Sequence, residues 1–468
     1  MRLCDRCFFL TCLAALTGGT LPRARAAALY VDGSATGAQD GTSWRDAWTS
    51  LSAIRGVAPG DTVYISGGPG GQSQAYPMTT WTAIAGGSPG ARVTYRIGGD
   101  AAHNGTAVFR CSGVRRPWIQ PVSDAAIIGD GGDGQPHFRL VGWSSVILGN
   151  GQANLRLAYL SADDLDLIGD FNPVTGLEID HCRFRIANLK ADHATYAQIQ
   201  GTTWDDSRFH HNTLYIPNAG NGAGCDGLQW NGTGFSIYAN LIVGYVARYA
   251  GDQHQDGWQG TGNSSYIKIY DNTFRDIANY PVFGDAYYGG FSHLRITGNL
   301  VELADPGIQQ SDAPQGIAVG PDGGSFGVMG RWPVFDDIAI CSNVIADYGA
   351  HLAIALQNNS GQSSTFTACI VADNAIVNSH GIAVDRAIAV AGNISLAPAR
   401  AARAFRRYRP LSPDNDFHLV AGATSLIGRG PSLSRYFAAD RDGALRGRAA
   451  KWDVGAYVFT GPERAEKP

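Results

Sequence analysis

One six-residue pattern recurs through the middle of this chain and limits what the chain can become. It reads Phe209-His-His-Asn212-Thr-Leu, Ile237-Tyr-Ala-Asn240-Leu-Ile, Ile269-Tyr-Asp-Asn272-Thr-Phe and Ile296-Thr-Gly-Asn299-Leu-Val, then Ile340-Cys-Ser-Asn343-Val-Ile and Val371-Ala-Asp-Asn374-Ala-Ile. Each copy is a short strand, an asparagine at a bend, and a second short strand, at intervals of 28, 32, 27, 44 and 31 residues. Helical repeats of that length would need long amphipathic stretches, and none is present. Strands of a few residues at this period describe the turns of a parallel β-helix wound around one apolar core. Stacked coils set equivalent residues about 4.8 Å apart, so the bend asparagines can form a side-chain amide ladder. Ile179-Asp-His-Cys182-Arg-Phe fits the same frame with cysteine in place of asparagine.

Composition agrees with an all-β solenoid. The chain has 61 glycines in 468 residues, and only four Glu and four Lys against thirty-six Asp and thirty-two Arg. Glu and Lys favour helices, whereas Gly, Asp and Asn favour turns, which argues against helical bundles, coiled coils and doubly wound α/β folds. A hydrophobic content of 44 % excludes global disorder. A formal charge of −4 gives no reason to expect a nucleic-acid partner.

The N-terminus reads as an address. Arg2 and Arg6 precede the apolar run Phe8 to Leu16, and Ala24-Arg25-Ala26 supplies a cleavage pattern. Residues 1–26 are therefore expected to be a signal peptide and 27–468 a single domain, secreted or periplasmic, with no membrane span. The five cysteines left (Cys111, Cys182, Cys225, Cys341 and Cys369) form no disulfide framework and read mostly as small buried hydrophobes. No oligomeric interface is legible, so a monomer is expected.

The ends carry a resemblance. Leu29-Tyr-Val-Asp-Gly-Ser-Ala-Thr-Gly through Trp44, and Ala58-Pro-Gly-Asp-Thr-Val-Tyr-Ile65, resemble the opening of right-handed parallel β-helix proteins of the pectate-lyase-like superfamily; Trp452-Asp-Val-Gly-Ala-Tyr457 is similar to their closing motif. The resemblance implies a right-handed coil with an N-terminal cap over 27–65 and a closing segment over 398–468. Within the cap, Ser43 to Ile54 predicts a short amphipathic helix with Ser43 as N-cap. Pro398 to Pro410 holds five arginines and reads as a solvated basic face, with attachment to an anionic polymer as the alternative.

Two neighbouring coils concentrate chemistry. Cys225-Asp226-Gly-Leu-Gln229-Trp230 and Gln255-Asp256-Gly-Trp258-Gln259-Gly260 share Asp-Gly-apolar-Gln thirty residues apart, so Asp226 should stack on Asp256 and Gln229 on Gln259. Stacked carboxylates repel unless a cation or proton intervenes, which marks metal or acid–base sites; the plain alternative is a turn-forming Asp-Gly. Tyr249-Ala-Gly-Asp252-Gln-His254-Gln-Asp256 would place an imidazole between two carboxylates on one face of an extended segment, suited to proton transfer. Trp230, Trp258, Gln229, Gln259, Tyr287 and Arg295 are candidate sugar contacts, the aromatics by stacking and the arginine by neutralising an acidic substrate.

At these residues the paired Asp-Gly motifs resemble those that bind calcium in a group of β-helical pectate lyases, which implies a possible calcium at Asp226 and Asp256. Gln259 stands where a further Asp is expected, and no Lys lies between Lys268 and Lys451 to serve as the base. Tyr249-x-x-Asp252-x-His254 resembles an element of alginate C5-epimerases and related lyases, in which Tyr and His move the C5 proton and Asp assists. Both resemblances imply proton abstraction beside a uronate carboxylate, hence a polysaccharide lyase acting by β-elimination. The alternatives are a glycoside hydrolase using an Asp pair and a non-catalytic glycan-binding protein. The expectation is one outward groove holding Asp226, His254 and Asp256, bordered by Trp230 or Trp258.

Overall fold

A computed structural model describes residues 26–77, 81, 85–110, 117–119, 122–142, 144–148, 152–163, 165–169, 174–185, 198–220, 223–224, 226–246, 256–260, 262–277, 280–286, 289–307, 317–320, 334–349, 351–357, 364–447 and 451–461. Within them the chain winds as a right-handed parallel β-helix. One thirteen-stranded sheet runs from Ala28–Val31 to Ala389–Ala391. A second runs from Ser73–Pro77 to Ile394–Leu396, with Ala223–Gly224 paired off its path. The third wall is broken into shorter parallel sheets, the longest from Trp258–Gly260 to Ile382–Val384. The long interval between Asn299 and Asn343 contributes Ile317–Gly320 to that wall.

The bend between the first two sheets shows why the repeat exists. The side-chain oxygens of Asn212, Asn240, Asn272, Asn299, Asn343, Asn374 and Asn393 each accept the peptide N–H of the equivalent residue one coil before, at 2.8–3.1 Å. Each Nδ2 donates back to a strand carbonyl of an earlier coil, from Ile179 to Val371. Asn393 extends the series one rung beyond the repeats recognised in the sequence. The residue before each asparagine is left-handed, with φ of 53° to 57° at Ala239, Asp271, Ser342 and Asp373. Such a conformation costs a non-glycine residue about 1–2 kcal/mol. The buried, fully hydrogen-bonded amide offsets it.

Three residues before each asparagine, Phe209, Ile237, Ile269, Ile296, Ile340 and Val371 point inward and are fully buried. Leu214, Ile242, Phe274, Val301 and Ile345 do the same from the second sheet. Cys182, Cys341 and Cys369 are buried free thiols, as expected of small core residues.

The predicted helix over 43–54 is not formed. Only Leu51–Ala53 makes a single 3-10 turn. The carbonyls that a helix would need are committed elsewhere: Arg45 accepts from Gly37 N–H, Asp46 from Gly41 and Trp48 from Asp32. Trp48, Leu51 and Ile54 still lie in the core, so these side chains cover apolar surface without a helix.

The C-terminal segment wraps the outside of the last coils. Helix Pro398–Ala404 and the antiparallel pair Phe405–Arg407 with Asp416–Leu419 pack on outward Val344, Ala346, Ala375 and Val377 of the second sheet. Leu433 and Trp452 cover Ala339, Cys341 and Ala372 on the first. Arg400, Arg403, Arg406, Arg407 and Arg409 are all exposed, matching the solvated face expected there. Beneath this wrap lies Asp373. Burial pushes its carboxyl up to about 7, with Arg446 and Lys451 pulling the other way.

Two predictions follow from the bend. Asn299→Ala removes the acceptor of Asn272 N–H and the donor to Ile269 carbonyl, and should cost about 2–4 kcal/mol in urea denaturation. The half-buried Asn393 at the end of the ladder should cost clearly less. Asp373 has a folded pKa above its unfolded one, so it destabilises the fold as pH rises from about 4 towards 7. Asp373→Asn, which keeps a residue tolerant of left-handed φ, should therefore raise the melting temperature at pH 8 and leave it unchanged near pH 4.

Candidate functional site

The repeated Asp-Gly-apolar-Gln motifs stack in the register that their spacing requires. Leu228 is bridged to Trp258, and Gln229 Nε2 donates to Gln259 Oε1 at 2.7 Å. Asp256 N–H donates to Asp226 Oδ1 at 3.0 Å, and Tyr280 N–H donates to Asp256 Oδ1 at the same distance. The glycines are there for space, not for turning. A Cβ on Gly257 would lie 2.4 Å from the Pro281 carbonyl and 2.7 Å from the Phe274 ring.

The facing differs from expectation. Asp226 and Asp256 are buried, at 5 % and 0 % exposure, and do not form an open groove. Isolated buried carboxylates would be costly, but each has a peptide N–H of the next coil as donor, which removes the argument for outward facing. Trp230 and Trp258 are fully buried in the main core, next to Phe235 and, for Trp258, Phe291. Strand alternation explains this: Leu228 and Trp230 share the inward face, and Gln229 between them points the other way. Neither tryptophan borders a sugar site. Gln229 and Gln259 are buried in their own amide pair.

Arg295 sits on the first sheet, on a different wall from Asp226 and Asp256. It hydrogen-bonds the carbonyl and carboxylate of Asp337 and lies 5.0 Å from the Tyr436 ring centre. Its charge is engaged within the protein. Tyr249, Asp252, His254 and Tyr287 lie outside the described residues.

The outer face of the first sheet holds a polar cluster that no sequence motif marks. Arg156 grips Asp180 bidentately, both contacts at 2.7 Å, and His181 Nδ1 lies 2.8 Å from the same carboxylate. On the next coil His210 Nε2 is 3.2 Å from Glu178 Oε1, and His210 Nδ1 is 2.9 Å from His211 Nδ1. Tyr159, His181 and His211 stack in series with centroids 4.7 and 5.0 Å apart, and His210, Tyr238 and Tyr270 do so at 4.6 and 4.8 Å. Burial raises the Asp180 carboxyl, but hydrogen bonds from Arg156 and His181 outweigh it and hold the group below its usual range. Burial lowers His210 and His211, against the pull of Glu178 on His210. The legible signal was the alternation itself. Positions two and four before each bend residue point outward, and Glu178, Asp180, Arg208 and His210 occupy them on two adjacent coils.

Glu178, Asp180 and His210 offer donor atoms within 4.8 Å of one another, the spacing of a metal triad. The group does not fit a resident divalent cation. Arg156 already neutralises Asp180, and Arg208 lies 3.2 Å from Glu178, so an ion would have to displace two guanidiniums. Asp226 and Asp256 fit calcium no better. Calcium takes about six to eight oxygens. Here one oxygen of each carboxylate accepts a peptide N–H, and the adjacent glutamines are engaged with each other.

The outer face of the second sheet is built differently. A groove of about 580 Å³ lies over it, lined among others by Arg139, Ser161, Arg183, Arg185 and Tyr215. The Arg183 guanidinium lies 5.5 Å from the Tyr215 ring centre, and that of Arg185 4.7 Å from the Tyr245 ring.

No family model matches the sequence, and no curated protein matches it. Solved structures do. A pectate lyase is 16 % identical, with 92 % of this chain and 96 % of that one aligned at a TM-score of 0.41. A rhamnogalacturonan lyase is 14 % identical over 88 % and 98 %, at 0.44. A lacto-N-biosidase from Eubacterium ramulus is 10 % identical over 77 % and 68 %, at 0.38. At these identities the likeness concerns the winding of the chain.

The Asp180 cluster makes a testable demand. Asp180→Ala strands a half-buried guanidinium and should destabilise by about 3 kcal/mol in denaturant titration, whereas adding Arg156→Leu should recover part of the loss.

Proposed function

We propose that the protein is a secreted or periplasmic carbohydrate-active enzyme, a polysaccharide lyase that cleaves a uronate-containing glycan by β-elimination. The observation that supports this reading is the pair of exposed arginines on the second sheet, Arg183 at 5.5 Å from the Tyr215 ring centre and Arg185 at 4.7 Å from that of Tyr245, together with the sequence position of one acid–base segment. Tyr249, Asp252 and His254 lie between strand Leu241–Val246 of the second sheet and Asp256, so both flanks of the segment are anchored in the solenoid. The strand on the near flank bears Tyr245, against which Arg185 stacks. Proton removal beside a carboxylate calls for acid–base side chains together with a cation, and in sequence Tyr249, Asp252 and His254 follow shortly after the strand that bears Tyr245.

In the proposed step one of Tyr249 and His254 takes the C5 proton of a uronate residue, and Asp252 orients the imidazole. The electron pair forms the C4–C5 double bond as the C4–O bond breaks, and the departing oxygen takes a proton from the other group. Guanidinium charge beside the substrate carboxylate stabilises the enolate-like transition state. The carboxylate pair Asp226 and Asp256 does not fit calcium, so in this reading the acid–base residues act without it. Hydrolysis by Asp226 and Asp256 is the weaker reading, since each has an oxygen committed to a peptide N–H.

Incubation with galacturonan, alginate and glucuronan should yield products with the ultraviolet absorbance of an unsaturated uronate, each lighter by one water than its hydrolytic counterpart. Tyr249→Phe and His254→Ala should each lower kcat by about 10²–10⁴, and a chelator should leave the rate unchanged. Products of full hydrolytic mass would overturn elimination. Binding without any product from these polymers would leave the glycan-binding alternative.

A further inference from the structure

A second left-handed column runs along the solenoid, at the bend that leads from the third wall into the first sheet. Two residues before Glu178, Arg208, Ser236, Lys268, Arg295 and Ala339, which are in register on that sheet, stand Gly176, Asp206, Gly234, Tyr266, His293 and Asp337, all with φ between 50° and 80°. Glycine and aspartate accept this conformation, whereas a bulky ring rarely does. Tyr266 gains little burial in exchange, since 58 % of it is exposed. A bulky, exposed residue in a conformation this unfavourable points to a role outside folding.

The neighbouring coils hold this ring in place. On the coil after it, His293 stacks on Tyr266 with centroids 4.3 Å apart and planes 18° from parallel. His293 Nδ1 lies 2.8 Å from the Asp337 carboxylate one coil further on, and that buried carboxylate is also held by Arg295. The centroid spacing is close to the coil repeat of about 4.8 Å, so the plane of the tyrosine stands across the helix axis. Its other face therefore looks toward the coil before, where Gly234 has no side chain. The exposed Asp206 leans into that space from one coil earlier, where a Cβ on Gly234 would collide with its Oδ1. Thr233 and Ser265 add two hydroxyls 3.2 Å apart, paired at the same bend. The result is a slot one coil wide, with an aromatic wall and with a carboxylate and hydroxyls at its root.

We propose that this slot binds one neutral pyranose unit of a glycan, its apolar face laid on Tyr266 and its hydroxyls donating to Asp206. A pyranose offers a face of C–H bonds and a rim of hydroxyls, the complement of an aromatic ring beside a carboxylate. The charge of Asp206 disfavours a carboxylate or phosphate at the root of the slot, which separates this ligand from an acidic sugar or a nucleotide. His293 and Asp337 are positioning residues that back the ring and touch no ligand. The site rests on its own geometry and not on the elimination chemistry. Tyr249, Asp252 and His254 follow strand Leu241–Val246 of the second sheet, whereas the slot precedes strand Lys268–Tyr270 of the first.

The test is saturation-transfer NMR and calorimetric titration of the full chain with neutral β-linked trisaccharides of glucose, galactose and xylose. At least one should bind, with a Kd on the order of 1 mM. Tyr266→Asn and Tyr266→Gly, both suited to the left-handed bend, should weaken that binding about tenfold without lowering the melting temperature. Tyr266→Phe should retain it. His293→Ala should weaken it and His293→Phe, which restores a ring behind the tyrosine, should recover it. Equal binding by wild type and Tyr266→Asn overturns the proposal. So does failure of all three trisaccharides to bind, or tighter binding of trigalacturonate or adenosine monophosphate. Self-association in sedimentation that is lost in Tyr266→Asn would make the ring a contact between copies and overturns it too. Unsaturated product from an acidic polymer, with trisaccharide binding indifferent to Tyr266, overturns the slot alone. Tyr266-dependent binding without unsaturated product from any polymer overturns the elimination chemistry and leaves the slot.

Discussion

The hydrogen bond from a peptide N–H at each bend to the amide oxygen one coil further on is the contact the rest of the structure depends on. It satisfies backbone groups that a sharp turn would otherwise bury unpaired. Because the same amide donates to a strand carbonyl, it also fixes where each strand begins. Inward and outward positions on two walls are set by that registration. A slip of one residue would exchange the isoleucine column for the polar one.

Once registration is fixed, the outside of the solenoid becomes a grid, and its columns differ by wall. On the first sheet the grid is internally neutralised, carboxylate against guanidinium and imidazole against imidazole, and its rows of rings stack on themselves. On the second, positive charge rests on aromatic faces. Further along both sheets, small apolar residues replace polar ones, and the C-terminal segment covers them. One backbone thus presents three kinds of surface by changing only the residues at alternate positions.

How much of this was legible follows from what each signal encodes. The asparagines gave architecture and period because a ladder requires the same residue at the same bend. Asp-Gly-apolar-Gln gave correct stacking for the same reason. It did not give facing, because a two-residue period says which side chains share a face and not which face is the core. Trp230 and Trp258 resemble a sugar platform in composition, but they alternate with Gln229 and Gln259 and fill the interior. The Asp180 cluster was hidden because its members are scattered in sequence, from Arg156 to His211, and meet only through strand pairing. The N-terminal helix failed for a nonlocal reason: glycines at 37 and 41 claim the carbonyls it needed.

The ladder starts at Cys182. There a thiol stands in the amide position and accepts from Leu160 N–H at 3.4 Å, a weaker rung than those that follow. The coils before it, back to Ala28, are joined by strand pairing and a run of packed rings such as Tyr76, Phe109 and Phe138. The solenoid is therefore two springs in series, a softer one held by dispersion between rings and a stiffer one cross-braced at every turn. Pulled from its ends, such a rod should yield first on the ring-packed side, with the thiol marking the joint.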